Sequence, residues 1–181
     1  MKRILTVALS LILVMSLCFG AGLTAFADEG ENDVRLVVTG GVGSSISAEG
    51  LGYSAAAALR ESYGEDALLI DLGGFDISAA PIISAAGYDL VVPGEVIEGW
   101  DITSISMGID ELSSGAFIRA GKLNIAFIGV TPPAAEADED AYLASIQETI
   151  DLAKSADYVI LIGQMDADAV AEAVTGFDAL L

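Results

Sequence analysis

The sequence contains no histidine, a single cysteine, a single tryptophan and only 7 basic residues against 27 acidic ones. Each shortage excludes something. Without imidazole, Ser–His and Cys–His nucleophile pairs cannot form, nor can the usual dinuclear transition-metal centre with its imidazole ligands. One cysteine, Cys18, rules out an internal disulfide, so packing alone must hold the fold together. The formal net charge of −20 repels phosphate backbones and anionic lipid, which excludes nucleic acid and membrane surfaces as partners. Cations and basic protein surfaces remain compatible with that field. Its simplest role is solubility outside the cell. A hydrophobic content of 54% is too high for a disordered chain.

The N-terminus reads as a secretory signal peptide over residues 1–27. Lys2 and Arg3 give a positive start and Leu5 to Leu17 an apolar run too short for a membrane span. Ala25-Phe26-Ala27 then supplies a small-residue cleavage site. Cys18 follows Leu17, where a lipoprotein signal carries a small residue. Cleavage after Ala27 predicts an exported protein without its cysteine. Residues 28–33 form an acidic leader and 34–181 one domain.

Val34 to Thr39 reads as a buried strand stopped by glycines. Leu51 to Tyr63 reads as a helix, with Leu51, Ala55, Leu59 and Tyr63 on one face and Gly64 at its end. Ala67 to Asp71 and Tyr88 to Val92 read as strands around a small-residue helix, Ile77 to Ala86, capped by Ser78 and stopped by Gly87. Ile102 to Met107 alternates weakly. Ala116 to Ala120 and Leu123 to Ile128 flank Gly121-Lys122 as a hairpin. Asp138 opens a helix to about Ser155, Tyr158 to Ile162 is another strand, and Ala167 to Val174 a last helix. This alternation predicts an α/β layered sandwich with a largely parallel or mixed sheet.

Glycine-rich loops follow the first strands: Thr39-Gly40-Gly41-Val42-Gly43, Asp71-Leu72-Gly73-Gly74 and Pro93-Gly94-Glu95-Val96. Strand ends of this kind build sites in α/β folds. The first loop lacks the lysine of a phosphate-binding loop and the third glycine of a dinucleotide fingerprint, so it reads as a turn. Ser44 and Ser45 have no evident activating partner. Asp71, Asp76, Glu95 and Glu98 are the carboxylates nearest the strand ends, the donor type of calcium and magnesium sites. Glu136, Asp138, Glu139 and Asp140 lack EF-hand spacing and read as a solvated helix start.

The order and spacing of these loops resemble a known pattern. Thr39-Gly40-Gly41-Val42-Gly43-Ser44 stands where that pattern has T-N-D-x-H-G, and Asp71-Leu72-Gly73-Gly74 where it has D-x-G-D. Tyr88-Asp89 through Gly94-Glu95-Val96-Ile97 stands for Y-D-strand-G-N-H-E. Gly121-Lys122 through Gly129-Val130-Thr131-Pro132-Pro133 matches G-K-hairpin-G-x-T-x-P, and Asp157 to Gln164 a strand leading to serine-histidine. Over about residues 34–165 the chain resembles the N-terminal metallophosphatase domain of the bacterial 5′-nucleotidase group, within the calcineurin-like metallophosphoesterases.

The resemblance implies an αββα sandwich with a mixed sheet and a site at the strand ends. It also implies a domain truncated relative to the family, whose final G-H-x-H segment would fall beyond Leu181. The family's first-motif Asp and His are here Gly41 and Gly43, its bridging Asp is Gly74, its Asn and His are Glu95 and Val96, and its later His is Gln164. Asp71 matches an acid of the second motif without its ligand partner. Two-metal hydrolysis needs both ions, so the resemblance implies an emptied pocket rimmed by Gly41, Gly43, Asp71, Gly74, Glu95 and Gln164. The expectation is an exported, catalytically degenerate module that binds an unidentified protein or small ligand and needs no cofactor. The alternative is a metal-dependent phosphoesterase holding a hard divalent cation weakly on Asp71 and Glu95.

Overall fold

Period-two alternation along the strands sets the architecture. A computed structural model of the chain describes residues 34–42, 52–64, 67–133 and 138–181. The predicted signal peptide and acidic leader lie outside the described residues, as do Gly43, Ser44, Ser45, Leu51 and Glu136.

The first half builds a sheet from four parallel strands in chain order: β1 (Arg35–Thr39), β2 (Ala67–Asp71), β3 (Leu90–Val91) and β4 (Thr103–Ser104). The second sheet is β5 (Gly115–Ala120), β6 (Leu123–Val130), β7 (Tyr158–Gly163) and β8 (Ala179–Leu180). There β5 runs antiparallel to β6, while β6, β7 and β8 are parallel. The helices are α1 (Tyr53–Tyr63), α2 (Ala80–Ala86), α3 (Glu139–Leu152) and α4 (Ala167–Ala173).

Three apolar layers show how these stack. Leu68, Ile70 and Leu90 of the first sheet meet Ile125, Phe127, Ile160 and Ile162 of the second. The intervening positions turn outward. Val37, Leu69 and Val91 pack with Tyr53, Ala56 and Ile83 of α1 and α2. Ala126, Ile128, Val159 and Leu161 pack with Ile146, Ile150 and Val170 of α3 and α4. The result is the four-layer α/β/β/α sandwich expected. The mixed character lies wholly in the second sheet. Among the described residues no helix is long and apolar enough to cross a membrane.

Several local expectations shift. The buried face of α1 is Tyr53 and Ala56, with Leu59 and Tyr63 partly packed, so it is rotated from the face through Ala55. The second predicted helix begins as a 3₁₀ turn over Ile77–Ala79, and its cap is Asp76, which accepts from the Ser78 N–H at 2.8 Å; Ser78 is not the cap. Pro81 lies in the first turn of α2, where its missing N–H costs nothing. Asp138 and Asp166 cap α3 and α4 in the same way. The weak alternation at 102–107 yields only the short β4, after which Ile105 bridges to Ser113 and the Met107 N–H donates to the Gly129 carbonyl, joining the two sheets.

Candidate functional site

The carboxyl ends of β1, β2, β3, β6 and β7 converge. At the centre is Asp71, the last residue of β2, with 0% of its surface exposed. The Thr39 hydroxyl, at the end of β1, donates to its Oδ2 at 2.5 Å, and the Gly73 N–H donates to its Oδ1 at 2.7 Å. The Tyr88 hydroxyl lies 2.8 Å from Thr39 Oγ1 and completes a buried chain of tyrosine, threonine and carboxylate. Tyr53 packs edge-on to Tyr88, with ring centroids 5.9 Å apart.

Burial dominates the electrostatics. Loss of water pushes the Asp71 carboxyl up to about 6, against the lowering effect of the Thr39 and Gly73 hydrogen bonds. Burial also raises both tyrosine hydroxyls, and the nearby Asp71 charge raises them further. They stay protonated and act as neutral neighbours. Although Asp71 accepts the Thr39 hydroxyl in the geometry of a base, Thr39 is only 2% exposed. An attacking atom must reach a substrate, so the pair reads as a strand-end clamp.

Gly41, Gly74 and Gln164 come together above this clamp. The Gly41 N–H donates to the Gly73 carbonyl at 3.0 Å. A side chain on Gly74 would lie 3.4 Å from both Gly41 Cα and Gln164 Nε2. Gln164 Nε2 donates to the Leu72 carbonyl at 3.3 Å, tying the end of the second sheet to the loop of the first. Gly73, at φ +93°, accepts no side chain, since a Cβ there would strike the Val92 carbonyl oxygen.

A cavity of about 550 Å³ opens beside these loops, lined by Gly41, Gln164, Leu36, Val38, Leu72 and Leu181 among others. Of the predicted rim, Gly41 and Gln164 line it. Asp71 sits behind it in the core, Gly74 borders it, and Gly43 lies outside the described residues. Glu95 is exposed on the loop after β3 and is not part of the lining.

The donors do not fit a dinuclear metal centre. Both oxygens of Asp71 are engaged inside the protein, and among the described residues no three acidic side chains converge. Tyr53 and Tyr88 are site residues that sequence reading missed. No motif marks Tyr53, and Tyr88 entered only as the start of the Y-D-strand segment, with no site role attached to it.

No protein-family model and no curated protein sequence matches the chain. Solved structures do. Sulfate thiohydrolase SoxB of Thermus thermophilus superposes with a TM-score of 0.56 at 18% identity, over 71% of this chain and 33% of that one. NAD nucleotidase NadN of Haemophilus influenzae gives 0.53 at 15%, over 88% and 35%. A 5′-nucleotidase precursor, also of Thermus thermophilus, gives 0.56 at 13%, over 89% and 38%. At such identities the likeness establishes the fold, and this chain spans about a third of the length of each protein. The α/β/β/α fold of this chain is thus shared with part of each of these proteins.

Proposed function

We propose that the chain is an exported, catalytically degenerate relative of the metallophosphatases, whose strand-end surface binds a partner or ligand without hydrolysing it. The state of Asp71 carries this reading. Among the described residues, the carboxylate at the convergence of the strand ends is buried, with each oxygen already accepting a protein hydrogen bond. A carboxylate committed in this way is a poor ligand for a hard cation, and two-metal chemistry needs several free ones. Gly41 and Gly74, which bring no side chain at all, lie against each other and Gln164 on the adjoining loops. Export is supported by the charged start, apolar run and A-x-A segment of residues 1–27, and one neighbour of the same fold is described as a precursor.

The test is direct. The purified protein is assayed for phosphomonoester and phosphodiester hydrolysis with added Mn²⁺, Mg²⁺ or Ca²⁺, beside a thermal-shift titration of each ion. The expected result is no turnover above blank and no ion-dependent shift. Metal-dependent turnover that disappears in Asp71→Asn overturns the proposal in favour of a carboxylate-only phosphoesterase.

A further inference from the structure

The hairpin edge of the second sheet, opposite β8, presents a definite set of groups. The Gly129 N–H donates to the Ser114 carbonyl, so Ala116, Ile118 and Ala120, at alternate positions after Ser114, direct their backbone groups toward β6. The two-residue turn at Gly121-Lys122 requires the same parity. Gly115, Phe117 and Arg119 therefore direct theirs outward. The Ile105–Ser113 bridge closes this edge just above Gly115, and among the described residues no strand pairs with it below. Ala116 and Ile118 pack into the layer between the sheets, so by alternation Phe117 and Arg119 lie on the α3 face.

That face carries the two most exposed large apolar side chains among the described residues, Leu152 at 78% and Phe117 at 57%. Both line one groove of about 170 Å³ between β5 and the C-terminal end of α3, with Gly115, Ala126, Thr149 and Ala153. It is smaller than the roughly 300–1,000 Å³ of small-molecule pockets, and its size suits side chains. Charge of both signs surrounds it. Arg119, Lys122 and Lys154 are three of the five basic side chains described, the others being Arg35 and Arg60 in the first half. Arg119 bonds only the Gly121 carbonyl, at 3.4 Å, and among the described residues no carboxylate pairs with it. Glu148 is exposed one turn before Leu152, on the same row of α3, and among the described residues no basic group pairs with it.

We propose that this face is a homodimer interface, in which the β5 edges of two copies pair antiparallel across a two-fold axis through Phe117. A two-fold contact requires a self-complementary surface, and this one qualifies in backbone, shape and charge. With Phe117 opposite its own counterpart, the outward amides and carbonyls of Gly115 and Arg119 fall opposite one another, and each strand satisfies the other. The same register sets Arg119 of one copy against Gly115 of the second, beside the groove that Leu152 lines and Glu148 flanks. The unpaired cation thus meets the unpaired carboxylate, once on each side of the axis, and each Phe117 covers the other copy's groove. A partner of one charge sign would satisfy only half of these groups. Pairing at this edge does not depend on how the strand-end loops are read, and it is measured as mass rather than turnover.

Sedimentation equilibrium of the purified protein tests it, at about 0.15 M salt, where screening over about 8 Å limits the repulsion between two acidic molecules. A reversible monomer–dimer equilibrium in the micromolar range is expected for an edge contact of this kind. Exchange at the Gly115, Phe117 and Arg119 amides should slow as protein concentration rises. Phe117→Glu should weaken the dimer by about thirtyfold or more, since the change acts twice across the axis. Arg119→Glu and Glu148→Lys, both at exposed positions, should each weaken self-association. An equimolar mixture of those two variants should dimerise, because each copy then supplies the charge that the other has lost. A structural role for either residue within one copy would give no such rescue. Four results overturn the proposal. The wild-type protein stays monomeric at about millimolar concentration. The dimer survives Phe117→Glu unchanged. The mixture fails to recover association. Or the three amides are already slow in dilute protein, so that the chain covers its own edge.

Discussion

The two sheets close their strand ends with the same pair of residue types and opposite electrostatics. In the first, Thr39 and Tyr88 enclose the buried carboxylate of Asp71. In the second, the Tyr142 hydroxyl donates to the Thr131 carbonyl at 2.7 Å, and Thr131 Oγ1 lies 2.9 Å from the Ser106 hydroxyl. That closure contains no ionisable acid. Both satisfy their buried polar groups, and among the described residues no buried side-chain polar atom lacks a partner. Hydroxyls alone therefore suffice to end a sheet in this fold. The charge in the first sheet is an addition that puts a buried, pH-sensitive carboxyl in that closure and none in the other.

The largest expected effect breaks the second sheet first. Gly163, at φ +149°, ends β7, and a Cβ there would collide with the backbone of Val130 on the neighbouring strand. Paired strands cannot shift apart without losing ladder bonds, so Gly163→Ala should cost about 3 kcal/mol or more. Gly73→Ala meets the Val92 carbonyl and the movable tip of Gln164, at φ +93°. The Gln164 tip can yield but the Val92 carbonyl is backbone, so the cost should also be large, about 2–3 kcal/mol, yet below that of Gly163→Ala, whose Cβ meets backbone alone. Urea denaturation of both variants ranks them. The reverse ranking would show that the glycine loop of the first sheet is the more rigid.

Asp71 sharpens the contrast through pH. In the unfolded chain an aspartate titrates near about 3.9. Folded, this one titrates at about 6, because burial disfavours its charge. The folded state thus holds the proton more tightly. Its stabilising contribution is full below the unfolded value and is lost as pH rises through about 6, a swing of roughly 2–3 kcal/mol. Asp71→Asn can still accept from Gly73 and can donate to Thr39, whose hydroxyl then turns toward Tyr88. Asn should therefore remove that swing and gain about 1–2 kcal/mol at neutral pH relative to wild type. Asp71→Ala strands the Thr39 hydroxyl and the Gly73 N–H, and should lose about 1–3 kcal/mol. The difference between wild-type and Asn stability, followed from pH 4 to 8, isolates this group from the many surface carboxylates. Parallel curves would mean that the clamp carries no buried charge.

How much of this could be read beforehand follows from what each residue signals locally. Short β-branched runs such as Val34 to Thr39 and Tyr158 to Ile162 announce strands, and Gly121-Lys122 between two such runs announces the hairpin found at β5–β6. The glycine loops announced where the strand ends gather. What stayed hidden depends on distant partners. Asp76 and Ser78 are both plausible caps by type, and only the backbone path decides between them. The strand β8 has two residues and no periodicity, so it exists only because β7 offers an edge. Tyr88 looked like the start of a strand, yet its side chain completes the clamp 49 residues from Thr39. Glu95 shares a loop with the third strand end, but its exposed position follows from the turn after Pro93, which spacing alone cannot orient.

The smallest expected effect concerns the single glutamine that joins the two halves. The Gln164 side chain is exposed and reaches the Leu72 carbonyl at 3.3 Å, a long hydrogen bond in contact with water. The sheets are already held by the shared layer of Leu68, Ile70, Leu90, Ile125, Phe127, Ile160 and Ile162, and by the backbone link from Met107 to Gly129. Against that burial one solvent-exposed amide contributes little, because water replaces it when it is lost. Gln164→Ala should change stability by no more than about 0.5 kcal/mol. It should also open the mouth of the cavity without affecting the Asp71 clamp, since Gln164 touches neither Thr39 nor Asp71 through any hydrogen bond among the described residues. A thermal-denaturation loss above about 1 kcal/mol would mean that the strand ends, rather than the apolar layer between the sheets, hold the two halves in register.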